Sequence, residues 1–150
     1  MIDWKWARFE ALERDDVYDA LALRARIFVV EQDCAYLDAD GLDRQAWHLL
    51  GRDAQGVLQA YLRVVDPGLK FDVPSIGRVI VDPARRGTRL GHQLLIEGLR
   101  RCEQAWPRQP NRIGAQARLQ RFYAQHGYVA VGDVYLEDDI EHIDMERAAR

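Results

Sequence analysis

The segment from Val81 to Leu95 reads VDPARRGTRLGHQLL and sets Gly87 and Gly91 four residues apart among Arg85, Arg86 and Arg89. A β-branched run, SIGRVIV, precedes it, and an amphipathic run follows. A helix that starts here exposes unpaired backbone N–H groups and a partial positive charge, which attract anions. Glycines let a backbone approach an anion closely, and arginines add charge-assisted contacts. The segment lacks G-x-x-x-x-G-K-[ST] and G-x-G-x-x-G, which argues against a Walker A loop and a dinucleotide turn. Local physics thus offers an anion cradle of unspecified kind, or a basic surface turn with convenient glycines.

Other residues could move protons. Tyr123, in LQRFYAQ, carries a phenol that could act as a general acid, although Leu119 and Tyr123 share a helical face and could both be core. Glu31, His48, Glu137 and His142 are the candidate bases. His48 falls on an expected strand, and Glu31 follows the apolar run IFVV. Arg63 and Arg78 interrupt apolar strands, either to bind a carboxylate in an acceptor or, the favoured reading, to pair internally with acidic residues. No metal site is expected. Placing Gly41 of DADG at the invariant glycine of a calcium loop puts Tyr36 and Trp47 at ligand positions. EDDIEH reads as a solvated acidic turn. Cys34 and Cys102 form neither a disulfide framework nor a metal cluster, and Cys102 is expected in the core.

The elements that must position these groups follow from periodicity. DWKWARF alternates as a first strand, and Asp15 or Asp16 is the expected cap of a helix running to about Val29. EQDCAYLDADGLD is a long polar loop. AWHLLGRD and VLQAYLRVV flank AQG as a hairpin, and SIGRVIV is the next strand. Leu94, Leu95, Leu99 and Cys102 mark one face of a helix that Pro107 and Pro110 terminate. RIGAQA is a strand and RLQRFYAQHG a short helix stopped by Gly127, and the remainder reads as two strands around a turn. This order implies a mixed α/β or α+β sheet with helices on its faces, in one domain over residues 1–150. A net charge of −3 with interleaved signs gives no global field for nucleic acid. No apolar run reaches the ~20 residues of a membrane span, so a cytoplasmic protein with reduced thiols is expected.

VIVDPARRGTRLGHQLL resembles the acyl-CoA pyrophosphate signature of GNAT acetyltransferases, R-x-x-G-x-G/A, on Arg86, Gly87, Thr88, Arg89, Leu90 and Gly91. LQRFYAQHGY is similar to the same family's FY pair ahead of a GF/GY strand start. LRARIFVVEQDCAYLDADGLD, AYLRVVDPG, PSIGRVIV and EDDIEHIDM extend the resemblance, over nearly the whole chain, to the ElaA-type branch. The resemblance implies a mostly antiparallel sheet with splayed fourth and fifth strands. It also implies acyl transfer from acetyl-CoA, without a metal, to an amine of a small molecule or peptide. It places pantetheine along Val79, Ile80 and Val81, pyrophosphate on Arg86 to Gly91, Gln116 near the CoA arm, and Tyr123 as the acid that protonates the leaving thiolate. The position at which some members carry a glutamate base holds Ser75 here, which leaves Glu31 and His48 as expected bases. Arg89 stands where the family has glycine; an ordinary first-turn helical conformation is expected to accommodate it. Two alternatives accompany this reading. One is acyl-homoserine-lactone-synthase-like transfer, suggested by RARIF; the other is a CoA-binding sensor or interaction module without turnover. Exposed strand edges are compatible with a homodimer.

Overall fold

The computed structural model describes residues 1–150. Strands β1 (Asp3–Arg8), β2 (Ala46–Arg52), β3 (Leu58–Val65) and β4 (Ser75–Val81) form an antiparallel meander in chain order. A second sheet places β8 (Ile140–Arg147) between β5 (Asn111–Gln116) on one side and β6 (Tyr128–Ala130) and β7 (Tyr135–Glu137) on the other. Helices α1 (Arg14–Arg24), α2 (Leu90–Ala105) and α3 (Gln120–Ala124) complete the chain.

Alternation along the strands divides the core. Leu49, Leu62 and Val64 face α2, where Leu90, Leu94, Leu95, Leu99 and Cys102 meet them. Leu50, Tyr61 and Ile80 point to the opposite face, against Ala20, Leu23 and Ile27. Helices therefore cover both faces, and each fully buried aliphatic side chain contributes about 1.5–3 kcal/mol. Gly98 is where α2 lies closest to the sheet: an added Cβ would stand 2.8 Å from a Leu62 methyl.

Several local details depart from expectation. Glu13 caps α1, not Asp15 or Asp16; Asp16 instead returns the bond, its carboxylate accepting from the Glu13 N–H at 3.0 Å. A capping box satisfies two orphan donors at once. Beyond Arg24 the helix widens into a π-helical segment over Ala25–Glu31. The C-terminal region holds three strands instead of two. Asp138 and Asp139, at φ 52° and 61°, form the two-residue connection between β7 and β8. Short polar side chains tolerate this left-handed geometry, which suits a tight hairpin.

The two sheets meet at β4 and β5. They touch at one end, where the Arg112 N–H donates to the Pro74 carbonyl at 3.2 Å. Beyond that point neither strand pairs with the other, and the sheet opens into a cleft.

Candidate active site

The cleft runs between the splayed strands as two connected cavities of about 330 and 300 Å³. Phe28, Gln32, Val79, Gln116, Leu119 and Tyr123 line both, so they form the waist of one passage. Its first mouth lies beside the β4–α2 connection, and the second lies under the loop from Gln32 to Leu42.

Arg86 and Gly91 line the first mouth together with Val79, Ile80 and Val81. Gly87 has φ 79°, a region that L side chains enter only at a cost, and this explains its glycine. The N–H groups of Gly87 and Arg89 donate to no carbonyl in the chain. With the free amides of the first turn of α2, they form a set of donors suited to an anion. Thr88 Oγ1 donates to the Arg85 carbonyl at 2.5 Å and braces the loop. The Leu90 side chain is in the core, so only its backbone faces the loop.

Arg89 does not adopt the helical conformation expected of it. It is the residue before α2, at φ 68° and ψ 10°. The reversal at Gly87 is completed by a second left-handed residue, and the helix starts one position later, at Leu90. An arginine there stores about 1 kcal/mol of backbone strain.

Arg78 is a second strained residue, at φ 51° within β4. Tyr61 pairs with Ile80 and Arg63 with Gly77, so Leu62 stands opposite two residues, Arg78 and Val79. This bulge takes two residues of β4 out of the ladder at the waist of the cleft. Bulges re-aim backbone groups in this way near functional sites.

Tyr123 reaches the waist from α3. It is 7% exposed, and its ring meets Phe122 and Tyr128 edge to face. Its hydroxyl has no hydrogen-bond partner in the chain. Burial pushes its pKa up, so the phenol stays protonated at neutral pH. Gln116 bridges the cleft wall: its Nε2 donates to Gln32 Oε1 at 3.2 Å, and its Oε1 accepts from Arg118 at 3.1 Å.

The two expected bases stand apart from the waist. Glu31 accepts from Arg86 at 2.5 Å, and this hydrogen bond holds its carboxyl below the usual carboxylate range. It belongs to the first mouth. His48 does not reach the cleft at all. It is buried beside α1, with Nδ1 2.7 Å from the Tyr61 hydroxyl and Nε2 2.8 Å from the Asp43 carbonyl. Strand alternation turned it to the face opposite the cleft wall. Burial lowers its pKa.

The long polar loop has a structural explanation. Arg24, 1% exposed, is held by Asp38 and Asp43; Arg63 by Asp40 and Asp43; and Arg78 by Asp38 and Asp40. Internal pairing of Arg63 and Arg78 is thus what the fold uses, and Asp40 of DADGLD lines the second mouth. Cys34 lies on that mouth, and Cys102 is buried in the core, which pushes its thiol up to about 12. Pattern alone could not place the bulge or the loop's ion pairs, because both depend on partners 14 to 40 residues away.

Comparison with known proteins gives a consistent result. Residues 39–149 match the acetyltransferase (GNAT) domain. Protein ElaA of Escherichia coli is 42% identical over 149 residues, 98% of this chain and 97% of that protein. The crystal structure of an acyl-CoA N-acyltransferase from Pseudomonas aeruginosa is 44% identical, with a TM-score of 0.93, covering 99% of this chain and 100% of that one. The AHL synthase LasI, at 12% identity and a TM-score of 0.79 over 97% of this chain and 89% of that one, shares the fold alone.

Proposed function

This chain belongs to the acetyltransferase (GNAT) family, and from that premise we propose that it is an N-acyltransferase moving acetyl from acetyl-CoA to an amine. The observation that carries the proposal is the passage between β4 and β5, open at both mouths, with Tyr123 at its waist. Such a passage lets an acyl donor and an acceptor enter from opposite sides and meet.

The donor supplies a thioester, which an unprotonated amine attacks directly. The free amides of Gly87 and Arg89 and the start of α2 would hold its pyrophosphate. Val79, Ile80 and Val81 would pair with its amide-bearing arm as a strand pairs with an edge. Backbone N–H groups at the bulge of Arg78 and Val79 would polarise the reacting carbonyl. Tyr123 would protonate the departing sulfur. Glu31 has the role of positioning Arg86 at the donor mouth. We assign His48 no part in the reaction.

Isothermal titration with acetyl-CoA should show saturable binding; no heat at millimolar ligand overturns the proposal. Thiol release over a panel of polyamines, amino acids, aminoglycosides and peptide N-termini then separates a transferase from a binding module. Arg89→Gly tests the loop. Relief of about 1 kcal/mol of strain is offset by a similar cost of glycine's freedom in the unfolded chain, so Tm should shift by under about 3 °C. Loss of a partly exposed phosphate contact should raise the acetyl-CoA Kd roughly five-fold. An unchanged Kd makes Arg89 a bystander.

A further inference from the structure

We infer that His142, facing Glu137, binds the acceptor's ammonium group and takes its proton. The inference rests on the acyl-transfer reading above and adds a base and an acceptor class, the primary alkylamines.

His142 lies on β8, flanked in register by Gln116 of β5 and Tyr135 of β7. Its neighbour Ile143 turns into the core, while the imidazole, 9% exposed, turns to the second mouth of the cleft. The ring stacks on Tyr135 with centroids 5.9 Å apart and planes at 24°. Its Nδ1 stands 2.7 Å from the Ile140 carbonyl. A carbonyl only accepts, so Nδ1 carries the hydrogen, and the neutral ring presents a lone pair at Nε2. That Nε2 faces Glu137 Oε2 at 3.6 Å.

The second contact is informative. At that separation there is no hydrogen bond, and both atoms are acceptors. Neither atom accepts a hydrogen bond from the chain, although the Lys70 ammonium on the same mouth acts on Glu137 through space. A primary ammonium has three N–H donors and a positive charge, so it can satisfy both at once. Water or an amide could bridge the same pair, but only a cation also meets the carboxylate with opposite charge. Glu137 is over half exposed and His142 is recessed, so an amine arriving from solvent meets the carboxylate first. The other titratable groups on this mouth are Lys70, Asp138, Cys34, Tyr36 and, at the waist, Tyr123. The cations Arg63 and Arg78 are already engaged by Asp38, Asp40 and Asp43.

The proton ledger closes without a further reactant. One N–H bond of the ammonium breaks and its proton passes to His142 Nε2, while the nitrogen keeps the electron pair. That pair forms the C–N bond to the acyl carbon as the C–S bond breaks and its electrons leave on sulfur. Sulfur takes the Tyr123 proton. The amide nitrogen releases its surplus proton to solvent, Tyr123 regains one, and His142 discharges the other. The Glu137 carboxylate, 3.6 Å from Nε2, offsets the imidazolium charge.

The test uses the full chain and n-butylamine as the probe acceptor. Long-range ¹H–¹⁵N spectra of the free protein should show the Nδ1–H tautomer of His142, and n-butylamine should perturb its Nε2 resonance. An Nε2–H tautomer, or no response to saturating n-butylamine, overturns the inference without touching the acyl-transfer reading. His142→Gln should lower kcat/KM for the amine roughly 100-fold or more at pH 7, with acetyl-CoA binding unchanged. The deficit should close as pH rises toward the amine's own pKa of about 10, where solution supplies free amine. A fold defect would not close with pH. Glu137→Gln, an exposed change, should raise the amine KM without altering acetyl-CoA affinity. Wild-type-like pH profiles in both variants sink the inference alone. An absence of turnover by the unmodified protein with any amine sinks the acyl-transfer reading and this inference together.

Discussion

Tyr123→Phe should lower kcat roughly 100- to 10,000-fold while acetyl-CoA affinity stays within about two-fold. The expectation rests on what the hydroxyl does and does not touch. The ring is packed edge to face on Phe122 and Tyr128, at centroid distances of 5.2 and 5.7 Å, and phenylalanine preserves that packing. The hydroxyl bonds no group in the chain, so its removal orphans no buried partner. Stability should therefore change by under about 1 kcal/mol. Burial pushes the phenol's pKa up, so the wild type holds its proton throughout the physiological range and can release it only when a stronger demand appears. Sulfur departing at the waist is desolvated by the same burial, which raises its basicity and lets it take that proton as the C–S bond breaks. Steady-state thiol release and titration calorimetry on the same protein decide the matter. Undiminished kcat would make Tyr123 a packing residue only.

Arg24→Met should destabilise the fold by about 3–5 kcal/mol, the range for removing one partner of a buried ion network. Arg24 Nε donates to Asp38 at 2.8 Å, Nη1 to Asp43 at 2.6 Å, and Nη2 to the Asp38 carbonyl at 3.0 Å. Methionine fills much of the volume but removes every Arg24 donor, so Asp38 keeps only Arg78 and Tyr36, and Asp43 only Arg63. Since whole domains have only about 5–15 kcal/mol to lose, urea unfolding should show the change directly. A loss below about 1 kcal/mol would mean that the network is dispensable. The second mouth should suffer too, because Asp38 and Asp43 also hold Arg78 and Arg63 in place.

The same network fixes the sign of the acid response. Hydrogen bonds from Arg63 and Arg24 outweigh burial and hold Asp40 and Asp43 below the usual carboxylate range. A depressed folded-state pKa contributes stability that is fully present above the unfolded value, near 4, and is lost as pH falls through the folded value. Urea midpoints should accordingly be flat above about pH 5 and fall below about pH 4. In Arg24→Met that acid slope should flatten, since Asp43 loses a partner.

Pattern and fold agree where one face of an element decides the matter. Leu94, Leu95, Leu99 and Cys102 recur at helical spacing, and α2 buries that face. The hairpin around Gly56 and the chain break at Pro107 and Pro110 are local punctuation, and local energetics suffices to place them. The end of β4 and the start of α2 were legible for the same reason, and with them the anion-binding loop. Where two acidic residues compete to cap α1, or a loop needs one more left-handed residue, alternatives differ by about 1 kcal/mol and tertiary packing chooses. That is how Glu13 came to cap α1, and Arg89 to sit at φ 68°.

By itself, the sequence determined the order of elements, the apolar faces and the loop able to face a phosphate, because each depends on neighbours within a few positions. It also presented Tyr123 in a recognisable pair. Only the tertiary structure decided which proton-moving groups share a cavity. His48 falls on an expected strand and His142 at the end of the acidic EDDIEH turn, and neither placement says which of them reaches a cavity. Strand alternation and the pairing of β2 turn His48 toward α1, while β8 carries His142 to the cleft beside Glu137. Side-chain direction on a strand reverses with a single step of register or one bulge. Long-range pairing sets that register, so the choice between the two histidines belongs to the fold.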